Sequence, residues 1–537
     1  MRWLLTALCA VLALPVLGVW AAWLGFDAAA ADTWRHLAGT VLPAYGLQSA
    51  ALALAVALGV AVVGGAAALL VALFEFPGRR ILEWALLLPM AMPAYVLAYA
   101  YTDALQTSGA IQSALRSWLR QDGALWPDVR SLPGAAVLFV LALYPYVFVL
   151  VRASLAERAA GLMEAARLLG AGLRRRLLEV ALPLARPALA AGVLLALMET
   201  LADYGVGAYF GLTTLTTGIY TAWLVLDDRL AAAQLATVLL GVVAVLLWLE
   251  RRAQAQLRFA TRSAAGAHGA DARPVQLAGP TAWLALAVCA MPVLLGFVLP
   301  CAWLALLVWQ EARHAELGLP FGRFAEWAGH TLALAAAAAA AATLLALLLG
   351  AWLRAEPAGR QSALRASARV VSLGYAVPGA VIAVGLLLPL ALVQARWPGS
   401  AAGVWLTSTV LGLLYAYVVR FSAVAMQSVD AGYARIAPTI DDSARLLGAG
   451  LWRTWRELHA PMLRRSAFAA ALLVFVDVMK ELPATLLLRP FGVDTLAVVA
   501  YNLARDERLA EAALPSLAIV GVGLLPVVLL SRAMRRT

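Results

Sequence analysis

The chain has 537 residues, of which 64% are hydrophobic and only 13% charged, and its formal net charge is +11. A water-soluble domain uses about 25% charged residues to cover its surface, so composition excludes a soluble enzyme or binding module. The basic excess reads as loop charge on a membrane protein, and no nucleic-acid site is read into it.

Apolar runs of about 20 residues, the length that crosses a bilayer, recur along the whole chain. In the first half they lie near 3–24, 47–73, 81–101, 135–153, 187–208 and 230–249; in the second near 281–308, 329–353, 370–393, 402–422, 465–486 and 512–531. The first run continues to Phe26, beyond the roughly 7–15 apolar residues of a signal peptide, and is expected to remain as a helix. The fold class is therefore an all-α polytopic membrane protein of about twelve helices. Three segments are expected: a six-helix half over 1–250, a linker over 251–279 and a second six-helix half over 280–537. Pro89, Pro93 and Pro378 fall inside expected spans, where proline removes a backbone hydrogen bond and kinks a helix. A run of eight alanines, Ala335–Ala342, lies in another span; small residues there permit close helix approach, and compositional bias explains the run equally well.

An even number of spans puts both termini on one side. Seven arginines fall in 152–186 and seven more in 420–465. The positive-inside rule places these segments, and with them both termini, in the cytoplasm.

Those two basic segments contain the same eight residues, ARLLGAGL, at Ala166–Leu173 and Ala444–Leu451. The match extends without gaps: Pro183 and Pro461 follow Gly170 and Gly448 by 13 positions, Glu199 and Asp477 by 29, and Asp203 and Glu481 by 33. Alanine and leucine coincide cheaply in so apolar a chain, whereas glycine, proline and acids at fixed offsets do not. The halves are thus parallel repeats, an arrangement that implies a pseudo-twofold axis along the membrane normal. Each repeated segment reads as a helix (Leu155–Leu169 in the first half), a glycine turn, and a second short helix stopping before Pro183 or Pro461. A single such loop suits a membrane-surface helix; two at matched positions favour a two-site docking surface for a twofold partner.

Other chemistry is sparse. Cys9, Cys289 and Cys301 show no paired spacing, and His36, His268, His314, His330 and His459 share no ligand-like spacing. No high-affinity metal site and no catalytic residue is expected. Glu199 and Asp203 lie roughly 18 and 24 Å beyond Pro187 in a core of about 30 Å, and Asp477 and Glu481 repeat the pattern. On a continuous helix each i, i+4 pair shares one face. Acids at this depth are costly and face a polar pathway or a partner, so the four are candidates for a translocation path that suits a hard, oxygen-loving cation. The alternatives are pairing with Lys480, the only lysine, or an arginine, capping of a helix end, or a place in the headgroup zone.

The stretch GLMEAARLLGAGLRRRLLEVALPLARP resembles the EAA loop of ATP-binding-cassette importer permeases. The resemblance implies a type I importer-like permease and carries docking roles onto Glu164, Ala165, Ala166 and Gly170. In the second half the matching residues are Asp442, Ser443, Ala444 and Gly448, with aspartate keeping the charge on a shorter arm. The fused form is similar to ferric iron permeases and to thiamine permeases; METLADYGVGAYFGLTTLTTGIYTAW and VMKELPATLLLRPFGVDTLA resemble the ferric group most. Two copies of an ATPase subunit carrying ATP and Mg, and a periplasmic binding protein that delivers substrate, are the implied partners, in a bacterial inner membrane. The chain itself has no G-x-x-x-x-G-K-[ST] around its single lysine, so it is not expected to be an enzyme. The rival from another class is an ion-gradient carrier, which is also built from parallel six-helix halves but has no use for paired docking loops.

Overall fold

Backbone amides and carbonyls in hydrocarbon must satisfy one another, which leaves helices as the economical form for long apolar runs. The computed structural model describes residues 2–23, 28–264, 274–314, 320–356, 362–398 and 401–534, and these are helical almost throughout. Ten helices among the described residues are long and apolar enough to cross a membrane, from Trp3–Trp23 to Leu509–Leu529. An eleventh span is broken, with Arg79–Ala91 and Ala94–Leu119 meeting at a 91° bend. Pro93 makes that break, lying in an extended conformation at φ −60°, ψ 142°. Pro378 takes almost the same angles before the Gly379–Arg396 helix, which therefore starts later than residue 370. The expected span at 465–486 is a helix over Ala460–Met479, with Arg464 and Arg465 near its start and Asp477 near its end.

The repeat in the sequence is also a repeat in structure. The helix Leu132–Leu168 begins at an Ser131 cap, and the helix Val410–Tyr433 at a Thr409 cap, the equivalent position. Further on, Leu182–Ala202 matches Ala460–Met479, and the short helices Gly205–Tyr209 and Pro483–Leu488 follow each of them. At the next turn the Ser49 hydroxyl accepts the Leu215 amide at 2.9 Å, and the Thr331 hydroxyl accepts the Leu496 amide at 2.9 Å.

The units in which the chain packs are not the sequence halves 1–250 and 280–537. One unit comprises Met1–Val41, Gly218–Leu240 and Pro320–Val499; the other comprises Leu42–Thr217, Gly241–Leu319 and Ala500–Thr537. The second holds the central spans of the first repeat with the first and last spans of the second; the first holds the central spans of the second repeat with the first span of the first repeat and, up to Leu240, part of its last. Glycines make these contacts possible. A Cβ on Gly18 would lie 2.1 Å from the Gly385 carbonyl oxygen, and one on Gly523 would lie 2.7 Å from that of Ala91, so the backbones touch as small residues allow. Within the first unit the Trp23 indole donates to Thr237 at 3.2 Å and the Gln234 amide to the Ala30 carbonyl at 3.1 Å. Within the second, the Tyr101 hydroxyl donates to the Leu295 carbonyl at 2.6 Å and the Trp303 indole to Asp103 at 2.8 Å.

Inside each unit the central helices cross tightly. Ala335, Ala338, Ala339 and Ala342 of the alanine run are buried in the Phe321–Ala355 helix, which packs on Val410–Tyr433 and Ala460–Met479. The linker is more structured than a simple tether. The helix Arg229–Ala264 runs on into it, and Val275–Gln276 pairs in parallel with Phe74–Glu75; residues 265–273 lie outside the described residues.

Candidate docking loops and buried charges

The two ARLLGAGL segments fold alike. Gly170 and Gly448 sit at φ +80° and +76°, the left-handed region that glycine enters without steric cost. The amides of Gly170 and Ala171 donate to the carbonyls of Arg167 and Ala166, and those of Gly448 and Ala449 to Arg445 and Ala444, all at 2.9–3.0 Å. This paired pattern closes a helix C-terminus and turns the chain outward. Just before each glycine stand two leucines that nothing covers. Leu168 and Leu169 are 82% and 88% exposed, and Leu446 and Leu447 are 90% and 84% exposed.

After the turn the structure corrects the expectation of a helix that stops before the proline. Leu173–Arg176 widens into a π turn over Leu177–Ala181 and continues as Leu182–Ala202; Leu451–Thr454, Trp455–His459 and Ala460–Met479 do the same. Proline has no amide and crowds the carbonyl four residues back, here at Glu179 or Glu457. A π turn absorbs the mismatch without breaking the helix, so each loop is built into the span that follows it.

The residues assigned to the first loop, Glu164, Ala165, Ala166 and Gly170, all lie on this exposed turn or its approach, with Glu164 3.7 Å from Arg167. Its helix is simply the end of the 37-residue Leu132–Leu168 helix. In the second loop Asp442, Ser443, Ala444 and Gly448 occupy the same positions, with Asp442 3.1 Å from Arg445 and Ala444 turned inward. That loop helix, Pro438–Leu446, is separate from Val410–Tyr433.

A residue that sequence reasoning passed over fixes it. Asp441 is buried; its Oδ2 accepts from Arg354 Nε at 2.7 Å and its Oδ1 lies 2.6 Å from His459 Nε2. Burial opposes ionisation of Asp441, but the hydrogen bonds from Arg354 and His459 outweigh it and hold the carboxyl below its ordinary value. The available signal was the doublet Asp441–Asp442: neighbours on a helix project about 100° apart, so one can face inward while the other faces out, and a buried carboxylate requires a partner.

The four intramembrane acids do not share helix faces in pairs. The first helix ends at Ala202 and the second at Met479, so Asp203 and Glu481 lie beyond them. Asp203 accepts the Val206 amide at 2.8 Å. Glu481 accepts the amides of Ala484 at 2.8 Å and Thr485 at 3.0 Å. Each thus anchors the short helix after it. Glu481 is also buried against Arg420, 3.0 Å away, and Asp477 pairs with Lys480 at 2.9 Å. Glu199 is partly exposed and forms no ion pair among the described residues. Arg420 was also missed; the equivalent first-half residue is Ala142. Among the described residues no group of three or more His, Cys, Asp and Glu could hold a metal ion.

The described residues thus form a helical polytopic membrane protein with two matched loops, each presenting a pair of bare leucines. Comparison with known proteins gives the same class. The sequence profile of the binding-protein-dependent transport system inner membrane component matches residues 61–259. The protein of Salmonella typhimurium assigned as the 2-aminoethylphosphonate transport system permease PhnV is 30% identical over 194 residues, 36% of this chain and 70% of that protein. The Fe(3+)-transport system permease protein FbpB 2 of Haemophilus influenzae is 23% identical over 486 residues, 90% of this chain and 88% of that protein. The molybdenum transport system permease protein ModB of Escherichia coli is 28% identical over 186 residues, 33% and 79% of the two chains. The chain belongs to the family of binding-protein-dependent transport system permeases, the inner-membrane components of ATP-binding-cassette importers. Its relatives are permease subunits rather than enzymes, and the family works with a binding protein and an ATPase. This membership sets aside the ion-gradient carrier.

Proposed function

We propose that this permease imports ferric iron. The observation that carries the reading is coverage: the similarity to the Fe(3+)-transport permease runs through 90% of this chain, whereas that to the phosphonate and molybdenum permeases spans 36% and 33%. Two ATPase subunits, holding ATP and Mg, dock on the loops at Gly170 and Gly448 from the cytoplasm; the arginine-rich segments support that side for the loops and for both termini. Closure of the ATPases moves the loops, and the π turns carry that motion into the helices Leu182–Ala202 and Ala460–Met479. A periplasmic protein delivers the ion. In the path itself Glu199 is the acid best placed to meet a passing cation, and Asp203 borders a small cavity with Ser49, Thr200, Thr214 and Thr216. Asp477 and Glu481 enter the same reading as path acids whose pull on a cation is weakened by their pairing with Lys480 and Arg420. Weak attraction suits a permeation path, since an ion held tightly does not leave.

Uptake of labelled ferric iron by cells with the intact permease, set beside Gly170→Pro plus Gly448→Pro cells at equal membrane levels, tests this. Thiamine, 2-aminoethylphosphonate and molybdate run in parallel. Iron uptake should vanish in the double variant while the others stay unchanged. Permease-dependent uptake of one of the other three, with none of iron, sinks the ferric reading. Iron uptake that survives both substitutions sinks the docking reading.

A further inference from the structure

We propose that Asp441 is a positioning residue that clasps the second docking loop to two membrane helices, so that loop motion reaches them through buried charge rather than through continuous helix. The proposal rests on the reading that the loops receive the ATPase.

The first loop needs no clasp. Its exposed tip is the end of the Leu132–Leu168 helix, and a push on Leu168 acts directly on that span. The positions equivalent to Asp441 and His459 are Met163 and Ala181, both buried and apolar. In the second loop the chain turns at Tyr433–Ile436, and Ala437 is extended at φ −60°, ψ 138° before Pro438. A push on Leu446 is therefore not transmitted along the backbone into Val410–Tyr433.

Asp441 spans that gap. Arg354 is the penultimate residue of the Phe321–Ala355 helix, and His459 is the last residue of the π turn entering Ala460–Met479. One carboxylate thus joins the loop helix to the end of one span and the start of another. Arg354 Nη2 also donates to the Ile436 carbonyl at 2.7 Å, which pins the broken connection itself. The His459 ring stands edge-on to Tyr433 with centroids 5.3 Å apart. The docking side of the same short helix, including Asp442, Arg445, Leu446 and Leu447, faces outward.

The choice of charge is informative. Apolar residues of similar volume stabilise a buried site as well as an ion pair does, or better. Charge-assisted hydrogen bonds add fixed distances and angles, which resist the sliding that an apolar contact permits. Arg354, Asp441 and His459 also line a cavity of about 860 Å³ beside the loop, which leaves space for the loop helix to tilt if the clasp is released.

The test uses the full chain reconstituted with its ATPase subunits and binding protein. Spin labels are placed at Ala355→Cys and at the exposed Thr439→Cys of the loop helix, with Cys9, Cys289 and Cys301 replaced by alanine. Nucleotide-free and vanadate-trapped states should give one unchanged distance between the labels, because loop and helix move as a body. In Asp441→Asn the distance should shift or broaden on trapping, and iron transported per ATP hydrolysed should fall about tenfold while the ATPase still co-purifies. Asp441→Glu should recover part of the coupling. Arg354→Met with Asp441→Met keeps an apolar, packed site should Asp441→Asn fail to fold, and it is expected to be folded and uncoupled. An unchanged distance and transport ratio in either charge-removing variant overturns the proposal, as does loss of ATPase binding in both. Leu446→Asp with Leu447→Asp separates the two readings: an ATPase that still binds this loop refutes the docking reading, while the label distances, which need no substrate, judge the clasp.

Discussion

The two ARLLGAGL loops have the same outer surface and different roots. Outside, each offers a glycine turn at nearly the same φ and a pair of exposed leucines. Inside, the first is the tip of an unbroken 37-residue helix seated on Met163, whereas the second is a nine-residue helix held by Asp441. The charges deeper in each half follow the same division: Glu481 is buried against Arg420 and Asp477 is paired with Lys480, while the first half has Ala142 and Ala202 at the positions of the two bases. A duplicated plan thus keeps the exposed face and varies the means of attachment. At these matched positions the second half has charge where the first has apolar side chains, while the first half has a part-buried pair of its own, Arg152 with Glu83.

The largest expected effect tests that contrast at depth. Removing one partner of a buried ion pair strands the other and costs about 3–5 kcal/mol. Arg420→Ala and Glu481→Ala should each lower the thermal midpoint of the purified permease sharply. Asp203→Ala, which removes only an anchoring bond to the Val206 amide, should cost about 1 kcal/mol. Arg420→Met with Glu481→Met should recover most of the loss. Equal midpoints for Arg420→Ala and Asp203→Ala would erase the asymmetry between the halves.

Much of this was legible in the sequence, and what was missed has physical reasons. The glycine turns could be read because a left-handed residue at a helix end is a local requirement. The acids at fixed offsets were also found, but their helix was assumed to continue; Asp203 and Glu481 fall one and two residues beyond its end, so the i, i+4 geometry never forms. Arg420 and Arg354 escaped because their partners lie 61 and 87 positions away in the chain, which only tertiary structure brings together. The exchange of first and last spans between packing units was equally hidden, since it depends on backbone contacts such as Gly18 with Gly385.

At the outer surface the loops should behave alike. Burying a leucine side chain is worth about 1.5–3 kcal/mol, so Leu168→Asp with Leu169→Asp should weaken ATPase association at least tenfold, and Leu446→Asp with Leu447→Asp should do the same. Neither pair should shift the permease's own thermal midpoint, because all four side chains are already exposed. A deficit confined to one pair would show that the two loops are unequal as docking surfaces as well as in their roots. Smaller still, Gly170→Ala and Gly448→Ala should each cost about 1 kcal/mol from the left-handed backbone alone, since an added Cβ meets nothing within 4 Å at either site. Matched losses in thermal midpoint would confirm that the turns are equivalent.

The smallest effect depends on acid. Asp441 is held below its ordinary value in the folded protein, because hydrogen bonds from Arg354 and His459 outweigh burial. The unfolded chain therefore takes up this proton first as pH falls. The stabilisation from Asp441 is complete above the ordinary carboxyl value of 3.8 and is lost as pH drops below it through the folded value. The first loop has Met163 at that position and loses nothing there. Spin labels at Arg167→Cys and Arg445→Cys report on matched sites, each having lost a similar exposed pairing with Glu164 or Asp442. Below pH 3.8 the label at 445 should gain mobility before the label at 167. Simultaneous loosening would mean that general acid expansion, rather than the Asp441 clasp, releases the second loop.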